Sequence, residues 1–392
     1  MLLIPRALAG LAPACLAAAA PALAQEMAQG TAEEEPEIGS RSLRVQLGTY
    51  VHDDSGDGNP FLDEDLVVIE PAVIFDHQLS ESFGYSVDFS YDFISAASID
   101  RLGSFPEQSG ASRDNYIGAD VAFRHRTSEE TLFGWHVGLS HEYDYNSLRL
   151  GGDVTLDRSH GQILNLGLNA YYDVVDIIRF DGSEDEGSDE RLSGSATAKW
   201  YRPLSSKMHA ELGLTLAHQS GFLETPYNAV VIEDPDLPPN PNLDNEARGF
   251  EITEELPDSR SRGVLFGRAR RWIGPRTALE LGGRLYVDDW GIESVTVEPR
   301  LYRTLVADEL DLRLRYRFYT QSAADFFSES FIEEVPLRTQ DSDLADFDSH
   351  TFGTRLTWQR SATSSIDLDL NYTLRSDGLD HIYTLLGWSW NF

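Results

Sequence analysis

The sequence predicts an all-β fold: a transmembrane, antiparallel, up-and-down barrel of about 16 strands. Three observations carry that expectation. Beyond residue 40 the apolar residues recur with a period of two. The connections alternate between short and long. Aromatic residues gather at both ends of the expected strands.

The segment ahead of the barrel reads as an export leader. Met1 to Arg6 is a short basic stretch, Ala7 to Ala20 is apolar, and Ala22-Leu23-Ala24 fits a small-x-small cleavage rule, which makes Gln25 the first mature residue. The apolar run is too short and Ala-rich for a membrane anchor. Cleavage just before Cys15 for lipidation fits Ala12-Pro13-Ala14 poorly. Residues 1–24 are therefore expected as a signal peptide, 25–40 as a flexible acidic periplasmic tail, and 41–392 as the barrel.

Composition excludes several classes. Cys15 is the one cysteine, so the mature chain has no disulfide and no thiolate metal site. A formal net charge of −34 argues against a nucleic-acid partner. After residue 25 no apolar run is long enough for a transmembrane helix, while Lys is scarce and Tyr, Phe and Trp are plentiful.

The strands are expected near residues 42–52, 65–77, 83–95, 115–126, 132–143, 147–157, 162–173, 193–202, 207–218, 262–272, 277–289, 293–303, 310–320, 350–359, 365–375 and 380–392. In the third, Phe83, Tyr85, Val87, Phe89, Tyr91 and Phe93 share one face, against Gly84, Ser86, Asp88, Ser90 and Asp92. In the strand at 262–272, Arg268, Arg270 and Arg271 blur the faces. A soluble sandwich would also alternate, but its outer face would carry many Lys and Glu. Connections after even strands are short, such as Ser80-Glu81-Ser82 and Gly274-Pro275-Arg276. Those after odd strands include 53–64, 96–114, 174–192, 219–261 and 321–349, the pattern of short periplasmic turns and long outer loops. Trp135, Trp200, Trp272, Trp358, Trp388 and Trp390 fall near periplasmic ends; Tyr91, Phe93, Tyr143, Tyr172 and Phe318 fall near outer ends. The end of the chain, with Trp388, Trp390 and Phe392 at alternate positions, resembles the signal read by the barrel assembly machinery.

Four segments carry a wider resemblance: YDFISAASID from Tyr91, LPDSRSR from Leu256, YVDDWGI from Tyr286, and YRFYTQSAADFF from Tyr316. With the last strand they resemble a proteobacterial family classified as a domain of unknown function and expected to form outer-membrane barrels. The resemblance implies the fold and a bacterial outer-membrane location, with no activity, substrate or catalytic residue. Asp288-Asp289-Trp290-Gly291 reads as a tight turn in preference to a binding motif.

With the apolar faces toward lipid, the other faces line the interior. One wall is expected to be acidic, from Asp88, Asp92, Asp120, Glu142 and Asp153. The other is expected to be basic, from Arg284, Arg300, Arg313, Arg315, Arg317 and Arg355. Strands eight positions apart are roughly opposite, so the walls would face each other across a water-filled channel. The alternative is that the charges pair with neighbours and fill the interior, which Glu298 beside Arg300 and Glu280 beside Arg284 permit. So many strands enclose more space than side chains fill, which favours the channel. The segment 219–261 has the length to fold inward and narrow it.

The acidic loops read as solvated. Asp53 and Asp57 sit in a fragment of a calcium-loop pattern that lacks its final Glu, a weak candidate for Ca or Mg; no other cofactor is implied. The best catalytic constellation is His52, Asp53 and Asp54 meeting Asp377, Asp380 and His381 where the first and last strands close; on so acidic a rim it reads as chance, and the chain as no enzyme. The expected role is a porin-like channel for small solutes or ions in contact with outer-membrane lipid and lipopolysaccharide, with homo-oligomers allowed. A non-conducting, partner-docking barrel is the alternative.

Overall fold

The computed structural model describes residues 38–55, 63–94, 115–234, 236 and 249–392. The expected signal peptide, most of the tail, Asp57 and most of the acidic block 233–244 lie outside the described residues.

Sixteen strands close into one antiparallel barrel. Its first half comprises β1 (Arg41–Ser55), β2 (Asp63–Gln78), β3 (Phe83–Ile94), β4 (Asn115–Ser128), β5 (Thr131–His141), β6 (Tyr145–Arg158), β7 (Gln162–Asp176), β8 (Ser188–Ser205) and β9 (Met208–Gly221). A separate two-stranded hairpin follows, β10 (Ala229–Glu233) and β11 (Gly249–Thr253). The barrel resumes with β12 (Ser259–Gly274), β13 (Thr277–Asp288), β14 (Glu293–Val306), β15 (Leu310–Gln321), β16 (Phe347–Ser361), β17 (Ser364–Arg375) and β18 (Leu379–Asn391). β12 pairs with β9, so the hairpin is an insertion at one barrel mouth. β1 closes on β18 from Ser42 opposite Asn391 to Asp54 opposite Leu379.

Every expected barrel strand is present, and β12 extends the blurred segment at both ends. Its register explains the blur: Arg268 and Arg270 lie opposite Gly282 and Glu280 on the inner face, while Arg271 is exposed. The tight turns gather at one end, where His160, Arg276 and Asp308 adopt positive φ. The long connections gather at the other end, as the parity of the sequence requires.

Each strand separates its faces. On β3, Val87, Phe89 and Phe93 are exposed, and Asp92 between them is buried. On β15, Leu314 is exposed between Arg313 and Arg315, whose side chains are mostly covered. An apolar exterior on a polar interior inverts the usual arrangement of a protein in water. Trp135, Trp200, Trp272, Trp358 and Trp388 are exposed outward at the tight-turn end. Phe392 is exposed there too, its backbone exchanging hydrogen bonds with Arg41 at 2.9 Å in both directions.

Candidate functional site

Ladder parity places ten of the eleven lumen candidates on the inner face, and Glu142, just past the end of β5, is buried. The two walls are nevertheless built differently. Among the basic group, Arg313 binds Asp369 at 2.6 Å. Arg355 and Arg44 share Asp367 at 2.8 and 3.2 Å. Arg300 lies between Glu298 and Glu280, the latter at 3.4 Å. Arg315 donates to Asn371 at 2.9 Å and lies 4.0 Å from Glu298. Arg317 stacks over Tyr319 at 5.5 Å. The wall expected as bare cations is thus threaded with carboxylates. Asp367 and Asp369 were legible as the polar face of their strand, but their place among the arginines depends on pairings two strands away. Arg284 alone of the six candidates is exposed and forms no ion pair among the described residues.

The acidic group is less neutralised. Asp88 sits directly opposite Asp120 in the β3–β4 ladder, a like-charge pair, and Arg149 reaches Asp120 at 2.5 Å. Asp153 accepts from Asn165 at 3.0 Å. Glu142 and Asp92 are buried near the outer end. Ion pairs inside the barrel therefore offset charge on both walls.

The outer mouth holds the larger surprise. The connection after β9 folds as the β10–β11 hairpin, and residues 322–346 pack against it. Ile232 bridges Phe331 in parallel, Glu255 bridges Arg338, and Val231 N–H donates to Gln340 at 2.8 Å. Val230, Ile232 and Phe331 form a buried cluster. Glu254 is wholly buried, accepting from Thr225 N–H at 2.8 Å and the Thr339 hydroxyl at 2.6 Å. Burial, reinforced by Asp341, pushes its carboxyl up.

This layer links opposite sides of the rim. The Tyr227 hydroxyl donates to Asp144 in the β5–β6 turn. The next residue, Asn228, donates to Asp341 at 3.5 Å in the β15–β16 connection. Those two hairpins stand eight strands apart in the closed order. Arg179 adds a bond to Glu224 at 3.0 Å, and Arg375 on β17 holds Asp343 and the Ser342 carbonyl, the latter at 2.9 Å. In the acidic block 341–348, read as solvated, Asp341 and Asp343 are internal ties.

Three of the familiar segments converge at the foot of this layer. Asp288 takes Arg260 at 2.6 Å and the N–H groups of Trp290 and Ile292 at 3.1 and 2.9 Å. Gly291 takes φ +90°, and a Cβ there would collide with Asp325. Arg260 lies 4.2 Å over the Trp290 ring, whose indole N–H donates to the Ser259 carbonyl at 2.8 Å. Leu256, Trp290, Ile292, Ala324 and Leu344 bury one another. The turn reading of Asp288-Asp289-Trp290-Gly291 matches this geometry, with anchoring of both long loops added to it.

At the β1–β18 seam His52 lies opposite His381, and the backbone of Asp53 opposite Asp380. Asp377 is taken by Arg375 at 2.5 Å. Among the described residues no group of three or more His, Cys, Asp or Glu is placed to hold a metal ion.

A family model described as "Protein of unknown function (DUF3570)" matches residues 177–383, just over half of the chain. The segments from Leu256, Tyr286 and Tyr316 lie inside that match. No curated protein matches the sequence. Among solved structures, the chain is similar to a mutant of the ferric enterobactin receptor PfeA from Pseudomonas aeruginosa, at 12% identity and TM-score 0.44 over 87% of this chain and 54% of that one. It is similar to a bacterial polysaccharide outer membrane secretin, at 10% identity and TM-score 0.49 over 90% and 98%. It is also similar to the siderophore receptor PirA from Acinetobacter baumannii, at 9% identity and TM-score 0.45 over 87% and 53%. The chain spans about half the length of the two receptors.

Proposed function

We propose that this chain, which belongs to the DUF3570 family of proteins of unknown function, is an outer-membrane barrel that conducts small charged solutes. One observation carries the proposal: the same strands present apolar side chains outward and ionised ones inward. Leu314 between Arg313 and Arg315 is the sharpest instance. Arg on the outer face would cost roughly 2–4 kcal/mol each at a bilayer midplane. An apolar belt facing water would instead promote association. Export by the leader peptide and insertion by the barrel assembly machinery belong to the same reading, as does contact with lipid and lipopolysaccharide.

Within that reading the lumen supplies a polar path, and its ion pairs set a modest charge selectivity rather than a strong anion preference. The outer layer narrows the mouth. That layer also favours a second reading, in which the barrel holds a partner at its outer surface and conducts nothing. Planar-bilayer recording of the purified, folded protein separates the two: stepwise conductance supports the channel, and its absence supports docking.

A further inference from the structure

One ladder row on the inner wall differs from the others. Lys199 on β8 lies opposite Gly213 on β9, Gly213 opposite Phe266 on β12, Phe266 opposite Arg284 on β13, and Arg284 opposite Thr296 on β14. Elsewhere on this wall Arg260, Arg268, Arg270, Arg300 and Arg313 each hold a carboxylate. Lys199 and Arg284 form no ion pair or hydrogen bond among the described residues. The Thr296 residue is 8% exposed, and its hydroxyl is buried without a hydrogen-bond partner. A polar group left that way costs stability unless something else engages it.

Between the two cations lies an aromatic surface. Phe266 faces inward, in step with Arg262 and Arg268, and its ring lies across Gly213. A Cβ at Gly213 would stand 2.2 Å from the ring, so glycine is required for the ring to lie there. A charged lumen gains nothing in hydration from this phenyl group. The ring presents an aromatic surface on which a flat solute can stack.

The geometry points to a binding subsite for aromatic carboxylates on this row. One carboxylate is held by Arg284, the ring stacks on Phe266, and Lys199 takes a second anionic group. Arg284 offers a planar fork suited to a carboxylate, and Lys199 a mobile point charge. The backbones of β8 and β13 are separated by three strand spacings of about 4.8 Å, ~14 Å along the wall. Two side chains of that length on the inner face can close on a dicarboxylate with a single ring. This inference rests on the channel reading in requiring a solute-accessible interior, and it names the solute class for that channel.

The test is calorimetric titration of terephthalate into the detergent-solubilised, folded barrel, with cyclohexane-1,4-dicarboxylate as the non-aromatic control. Saturable terephthalate binding is expected, and Arg284→Gln or Lys199→Gln should weaken it roughly tenfold or more. Arg284→Lys, which keeps the charge, should lose less. Phe266→Leu should abolish the preference for terephthalate over the control. No saturable binding to folded wild type, or equal binding by wild type and the Arg284→Gln/Lys199→Gln double variant, overturns the subsite. Calorimetry does not depend on conduction, so the two readings fail separately. Conductance without binding removes the subsite and leaves the channel. Binding without conductance keeps the subsite and removes the channel.

Discussion

Arg260 and Asp288 meet at 2.6 Å at the outer rim, and the Asp288 side chain is entirely covered. One carboxylate there satisfies a guanidinium, the Tyr286 hydroxyl at 2.7 Å and two backbone N–H groups. Asp288→Ala should therefore leave a covered cation and three orphan donors, a loss of about 3–5 kcal/mol for a broken buried pair. Asp288→Asn should lose less, since it keeps an acceptor oxygen for the turn. Limited proteolysis reads this locally: cleavage within 322–346 should accelerate in the Ala variant while the barrel core stays resistant. Equal protection of all three proteins would remove the anchoring role.

The wholly buried Glu254 should make the outer layer pH-sensitive. Its carboxyl is raised from 4.5 to about 8 by burial, reinforced by Asp341. A raised carboxylate means that the closed layer holds a proton that the opened layer releases. The resulting stabilisation is complete below about pH 4.5 and is lost as pH rises toward 8. Amide exchange at Val230 and Val231, corrected for intrinsic rates, should show protection falling over that window. In Glu254→Gln the dependence should vanish. Protection that increases with pH would contradict the sign.

The lumen pairs make selectivity a matter of pairs rather than single charges. Removing Arg313 uncovers Asp369, its partner at 2.6 Å, so Arg313→Ser should shift reversal potentials toward cations. Arg313→Ser with Asp369→Asn should return them close to wild type. The shift should shrink between 0.1 M and 1 M salt as the Debye length falls from about 10 Å to about 3 Å. Identical potentials in the single and double variants at low salt would place this pair outside the conduction path.

The barrel was legible because a period of two is a local signal, repeated in strand after strand with turns of alternating length. Closure followed from parity alone. The β10–β11 hairpin was not legible. Ala229-Val230-Val231-Ile232 is too short to alternate and is buried on both faces, and it sits within a Pro- and Asp-rich stretch that reads as loop. The arginines were legible as the polar face of their strands, but Asp367 and Asp369 become their partners only through β16–β17 register, a non-local fact. Likewise the segments from Leu256, Tyr286 and Tyr316 were separately visible, and only the fold joins Leu256, Trp290 and Ala324 into one cluster.

Orientation can be read on intact cells, since Cys15 is the one cysteine in the sequence. Cysteines introduced at Ser188 or at the exposed Ile332 should react with an impermeant thiol reagent, and one at Ser205 should not. The reverse pattern would invert the barrel and put the capped mouth in the periplasm.

The central claim is that the interior conducts and that the outer layer narrows it. Planar-bilayer recording of the purified barrel, beside a form in which residues 229–253 are replaced by a short Gly-Ser link, tests both parts at once. The account predicts discrete steps from the intact protein and larger steps from the shortened one. Silent bilayers from both folded forms would contradict it.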